Sequence, residues 1–170
     1  MERDIYIILI IVYPYVCEVL ELDSSKKNQT FSLFQAPDEP NDSINLCSLI
    51  SVCSTPLGME SGAIKDAQIS ASTQYNNNNY GTSRARLNLK LTGVKGGAWV
   101  TRVLDLKQWL QVDLGSYTIV TGVATQGRNA PRLQQWVTKY RLQHSTDGVN
   151  FHFYIEKGDN SFKVFSFSWF

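Results

Sequence analysis

Apolar residues in this chain recur at every second position, in short runs broken by turn-forming residues, and that pattern constrains the fold more than any other feature. Trp109 to Gly115 places Leu110, Val112 and Leu114 on one face and Gln111 and Asp113 on the other, the period of a half-buried strand. Tyr117 to Gln126 is rich in β-branched residues and predicts a second strand. Val137 to Ser145 alternates again, with Val137, Tyr140, Leu142 and His144 as landmarks. Asp147-Gly148 then signals a tight turn leading into Phe151 to Glu156. No amphipathic helix of useful length is visible. Many short strands with frequent turns predict an all-β sandwich or barrel.

Composition narrows the class. Hydrophobic residues make up 43% of the 170 residues and charged residues 18%, which fits a folded domain and not a disordered chain. A net charge of +1 supplies no bulk field toward nucleic acid or an acidic membrane, so charge-based recognition has to come from a local patch, and no nucleic-acid partner is expected. The cysteines are Cys17, Cys47 and Cys53, with no Cys-x-x-Cys pair, and the histidines are only His144 and His152. A zinc site needs three or four close N or S ligands, so no metal centre is expected and both histidines read as strand or turn residues.

The N-terminal run Ile5 to Val16 is apolar and interrupted by Pro14. It is shorter than the roughly 20 residues that cross a bilayer, and its length suits the apolar region of a secretory signal peptide. The preceding Met-Glu-Arg-Asp is not clearly basic, and cleavage after Cys17 would leave Tyr15 where a small residue is preferred. The expectation is a signal peptide over residues 1–17 and a secreted, extracellular chain. A polar linker over 18–46 follows, with N-glycosylation sequons at Asn28 and Asn41. A folded domain over 47–170 completes the organisation.

The domain carries a series of motifs: Cys53 to Gly58, Met59 to Ile64, Asp66 to Ser72, Arg84 to Asn88, Gly97 to Trp99, Gln108 to Gly115, Val120 to Gly127, Trp136 to Tyr140 and Ser145 to Gly148. In this order and at these spacings the segment from Cys53 to about Phe165 resembles the discoidin domain, also called the coagulation-factor type C domain. The resemblance implies an antiparallel jelly-roll β-barrel or sandwich, discoidin-like and galactose-binding-like. It also implies binding of phospholipid head groups, collagen, cell-surface proteins or sugars by loops at one end. Relatives continue past a segment like Lys163 to Phe165 into closing strands and a terminal cysteine. The expectation is therefore a barrel incomplete at its C-terminus, with Cys53 lacking its usual partner. A Cys47–Cys53 bridge and an unpaired or intermolecular thiol both stay open. Some members of the family bind a structural calcium ion, but no ligand set for one is fixed here and no cofactor is expected.

By the resemblance, the first binding loop is Thr73 to Ser83, with Tyr75, Asn76, Asn77, Asn78, Asn79 and Tyr80 as candidate contacts. Asparagine amides gain nothing from lipid, whereas tyrosines beside amides suit sugars and protein surfaces. The same residues also suit a solvated turn. The second loop, Lys90 to Gly97, offers Leu91 and Val94, and the third, Gly127 to Gln135, offers Arg128, Arg132 and Leu133. Arginines can meet a carboxylate, sulfate or phosphate in bidentate fashion, or be ordinary surface charge. Arg84 and Arg86 are expected to be structural, one of them paired with Asp113. Trp99, Trp109 and Trp136 are expected to pack in the core or at the barrel end.

No Ser-His-Asp elbow, phosphate loop or metal cluster is present, so no catalysis is expected. The leading expectation is an extracellular adhesion module that binds a glycan or cell-surface protein. Binding to anionic phospholipid is the alternative, and service as an accessory module of a larger enzyme comes third.

Overall fold

A computed structural model describes residues 17–21, 31–32, 56–116, 118–128 and 135–166. The signal-like run, both sequons, Cys47, Cys53, Arg132 and Leu133 lie outside the described residues. The elements in chain order are β1 (Cys17–Glu21), β2 (Phe31–Ser32), β3 (Ile69–Ala71), a single helical turn α1 (Asn77–Tyr80), β4 (Leu110–Val112), β5 (Ile119–Ala124), β6 (Lys139–Arg141), β7 (Gln143–His144), β8 (His152–Phe153) and β9 (Val164–Ser166). Short 3-10 turns at Asp66–Gln68 and Thr82–Arg84 complete the set. The described fold is all-β apart from these turns, as the period-two pattern predicts.

The strands pair as β1-β5-β2, β3-β4, β6-β9 and β7-β8. In the β3–β4 ladder Ile69 opposes Val112 and Ala71 opposes Leu110. Ile69, Leu110 and Val112 are buried while Ser70 between them is exposed, so the alternation in the sequence becomes an inner and an outer face. Gln68 extends the ladder, because its side-chain amide donates to the Asp113 carbonyl at 2.7 Å and its own carbonyl accepts from the Asp113 N–H at 2.8 Å. The β-branched β5 has β1 alongside it in parallel and β2 antiparallel on its other edge. β2, and β1 apart from Cys17, thus fall within the segment that composition marks as polar linker.

The expected strand from Val137 to Ser145 is split into β6 and β7, each with its own partner. β6 pairs with β9, where Tyr140 and Phe165 stack at 5.0 Å. β7 pairs with β8, where His144 directly opposes His152. Burial pushes the Tyr140 hydroxyl up to about 12, so it stays neutral inside the core. The core gathers Met59, Ile64, Ile69, Leu110, Val112, Val120, Val123, Tyr140, Leu142 and Phe165, from strands β3, β4, β5, β6 and β9 and the segments that flank them.

Two expectations are corrected. Arg86 pairs with Asp66, not Asp113, and its second guanidinium nitrogen donates to the Met59 carbonyl at 2.9 Å. The Asp113 carboxylate turns instead to the Gly115 N–H at 2.7 Å. Trp99 packs against the core as expected, but Trp136 is among the exposed apolar residues, because the strand begins only at Lys139 and leaves the indole on the approach to it.

Candidate functional site

The β3–β4 ladder fixes one end of the barrel. Past Ala71 the chain continues through Ser72, which still bonds Trp109, into the first loop. Asn76 caps α1, its carboxamide oxygen accepting from the Asn78 and Asn79 N–H groups at 3.1 Å. Asparagine is among the residues favoured at a helix N-cap, which is why the asparagine run folds here as a turn of helix and not as open loop. Asn77 and Asn78 are left exposed beside it.

The second loop folds against the first. The Gly96 N–H donates to the Asn79 carbonyl at 2.8 Å, and the Val100 N–H to the Tyr80 carbonyl at 3.1 Å. Arg84 clasps the base of the second loop, donating from Nε to the Gly96 carbonyl at 2.7 Å and from its terminal nitrogen to the Lys90 carbonyl at 3.2 Å. Thr92 and Lys95 exchange backbone bonds at 3.0 Å around Gly93-Val94. Gly93 has φ +60° while Val94 is not left-handed, the pattern of a type II′ hairpin with glycine at its first central position. Val94 at the tip is 75% exposed, and Leu91, Lys90 and Lys95 beside it are exposed as well.

Tyr80 is the hub that joins the third loop to the others. Its ring lies over Gly96, where a β-carbon would come within 2.1 Å of it. Its hydroxyl accepts from Arg128 at 3.0 Å. The Arg128 guanidinium also sits 5.0 Å from the Tyr80 ring centroid and donates to the Gln135 side chain at 2.8 Å, while the two residues' backbones bond at 2.7 Å. Tyr75 meets Tyr80 edge-on at 6.0 Å and is 65% exposed.

The structure therefore brings Tyr75, Asn76, Asn77, Asn78, Asn79, Tyr80, Leu91, Val94 and Arg128 to one end of the barrel. They divide by exposure: Tyr75, Asn77, Asn78, Leu91 and Val94 face outward, while Tyr80 and Arg128 are half-buried supports. Gly96, Arg84 and Gln135, which hold the loops together, were not singled out as parts of the site; only the Gly-Gly at positions 96–97 marks a close approach in the sequence. Among the described residues, no group of three or more His, Cys, Asp or Glu could hold a metal ion.

These features define a small all-β domain that holds a joined cluster of loops at one end. A family model described as the F5/8 type C domain matches residues 68–168. Lactadherin of Mus musculus is 40% identical over 115 residues, covering 66% of this chain and 24% of lactadherin. Coagulation factor VIII of Homo sapiens is 40% identical over 114 residues, 66% of this chain and 5% of the factor. The human EGF-like repeat and discoidin I-like domain-containing protein 3 is 40% identical over 121 residues, 68% of this chain and 25% of that protein. The chain belongs to the F5/8 type C, or discoidin, domain family, whose fold is the all-β jelly roll. It spans about a quarter or less of the length of these relatives. No solved structure matches it. No described helix is long and apolar enough to cross a membrane.

Proposed function

We propose that this chain is a non-catalytic extracellular recognition module whose loop end docks on an anionic phospholipid surface. The observation that carries this reading is the second loop, where Val94 and Leu91 stand exposed between Lys90 and Lys95. An apolar tip flanked by ammonium groups can place its side chain in the acyl boundary and its charges among acidic head groups. Phospholipid is among the ligands that the family resemblance implies. The asparagine-rich first loop favours sugar or protein on residue type alone, but Asn76 is occupied in capping α1, which removes part of that polar display. One relative, 36% identical over 118 residues, is named as the non-catalytic subunit of a venom prothrombin activator, which agrees with a binding role and not an enzymatic one.

Sedimentation of the chain with phosphatidylcholine vesicles, with and without phosphatidylserine, tests the reading. Capture that needs phosphatidylserine and weakens with added salt is expected. Equal binding to both vesicle types, or to neither, would overturn it.

A second reading rests on Tyr75. Its exposed ring, braced by Tyr80 and next to Asn77 and Asn78, is a stacking face beside amide donors and acceptors, which suits a glycan or the surface of an extracellular protein. A glycan array is its test, and signal lost in Tyr75→Ala would support it.

A further inference from the structure

The strands β7 and β8 bring two imidazoles together. His144 lies directly opposite His152 in the ladder, and the ring centroids are 6.0 Å apart. The chain has only these two histidines, and the sheet sets them side by side. They stand at the far end of the strand run that follows the third loop, and none of the loop-end residues takes part.

The backbone beneath the pair is fixed on both sides. Toward β6, the Tyr154 N–H donates to the Leu142 carbonyl at 2.9 Å. Toward the hairpin tip, Asp147 closes the turn, its carboxylate accepting from the Val149 and Asn150 N–H groups and the Ser145 hydroxyl, each at 2.8 Å. Little ordering is then left for a ligand that joins the two side chains, which is what preorganisation gives a binding site.

The pair suits a metal cation in three respects. First, neither ring has a hydrogen-bond partner among the described residues, so each neutral imidazole keeps one nitrogen lone pair to offer. Second, His152 is exposed and His144 only half-buried, so an ion can reach them from water. Burial and the neighbouring His152 also favour the neutral form of His144, the form that ligates metal. Third, the spacing fits. With a metal–nitrogen bond of about 2.1 Å and each nitrogen about 1.2 Å from its ring centre, two imidazoles on one tetrahedral ion have centroids about 5.4 Å apart. Side-chain rotation closes the small difference from 6.0 Å. Asp147, the acid nearest in sequence, is committed to its own turn and adds no ligand. The protein thus supplies two nitrogens, fewer than a zinc centre, and water completes the shell.

We infer that His144 and His152 form a two-point chelating site for a divalent transition-metal ion, of the class of Zn²⁺, Ni²⁺ and Cu²⁺, that pins β8 to β7. Imidazole suits these ions, with Cu²⁺ held most tightly, whereas Ca²⁺ and Mg²⁺ demand oxygen ligands. Only the folded ladder brings the two rings together, so bound metal stabilises the native chain. The inference does not depend on the phospholipid reading.

The test titrates Zn²⁺ and Ni²⁺ by calorimetry into the untagged full chain and into His152→Asn, with Ca²⁺ as the control, and reads the thermal midpoint with and without each ion. Because His152 is exposed, His152→Asn should keep the wild-type midpoint when no metal is present. Wild type should bind both transition metals and unfold at higher temperature with them, and Ca²⁺ should change nothing. His152→Asn should bind roughly a hundred-fold more weakly, the lower end of the gain from joining two binding groups, and its midpoint should not respond. His144→Asn, the second variant, should lose binding to the same extent. Equal binding by wild type and both variants would place the ion on other groups, such as the cysteine thiols, and overturn the inference. A wild-type midpoint unmoved by about 1 mM of either ion would overturn it as well.

Discussion

The hydroxyl of Tyr80 accepts a hydrogen bond from the Arg128 guanidinium at 3.0 Å, and that bond ties the first loop to the third. Arg128 also donates to Gln135 and lies against the Tyr80 ring, so the two residues set the relative positions of the loops. Tyr80→Phe keeps the ring over Gly96 and removes only the bond. A hydrogen bond to a charged donor at a half-buried site is worth about 1.5 kcal/mol net. Arg128→Ala removes the bond, the stacking and the Gln135 contact together, for about 2 kcal/mol. Urea unfolding midpoints of the two variants should rank in that order.

Gly96 carries a sharper prediction. A β-carbon there would fall 2.1 Å from the Tyr80 ring, far inside contact distance, so the ring has to move and the Arg128 bond goes with it. Gly96→Ala should cost about 1–3 kcal/mol, as overpacking of a close contact does. Because the backbone at Gly96 is not left-handed, the cost is steric. A double-mutant cycle with Tyr80→Ala checks this, since removing the ring should recover most of the loss.

What the sequence made legible and what it did not follow from range. The alternation of Leu110 and Val112, or of Tyr140 and Leu142, is a local signal, and those residues are in the core. The loops' membership of one end came with the family motifs. Which acid Arg86 would choose was not readable, because Asp66 and Asp113 are both distant in sequence and only the pairing of β3 with β4 decides their positions. The burial of Tyr80 depends on Gly96 reaching across to it from another loop. The residue type alone does not separate it from Tyr75, which stays in water.

Stability should fall on mild acidification. His144 faces His152 with ring centroids 6.0 Å apart. Burial first, and the charge of His152 second, hold the His144 imidazole below its ordinary value of 6.5. The unfolded chain then takes up a proton at higher pH than the folded one. The stability associated with neutral His144 is therefore complete above about pH 6.5 and is lost as pH falls from there through the lower folded value. Replacing His144 with Asn should flatten the thermal midpoint between about pH 5 and 7, and an unchanged slope would show that another group titrates.

A second acid limb should lie lower. The Asp147 carboxylate accepts from the Asn150 and Val149 N–H groups, the Asn150 side chain and the Ser145 hydroxyl, and these bonds hold it well below the ordinary carboxylate range. Its contribution is present above the unfolded value near pH 4 and is lost as pH falls toward the folded one. Asp147→Asn should lower the thermal midpoint at neutral pH and remove the steepest part of the acid limb, measured by circular dichroism from pH 2 to 5.

Arg86 and Asp66 test how much an exposed ion pair matters against a shielded hydrogen bond. The Arg86 side chain is 12% exposed and the Asp66 side chain 65%. A pair with one partner so open to water is worth at most about 0.5 kcal/mol, because solvent screens it. The other arm of Arg86 donates at 2.9 Å to the carbonyl of Met59, a residue wholly buried in the core. Removing that donor leaves the carbonyl without its partner, which costs about 1–3 kcal/mol. Asp66→Asn should thus be nearly silent and Arg86→Ala clearly destabilising in denaturant unfolding. Arg86→Lys should fall between them, since one ammonium cannot span both Asp66 and Met59. Equal losses for Asp66→Asn and Arg86→Ala would mean that the ion pair, and not the bond to Met59, fastens this corner of the barrel.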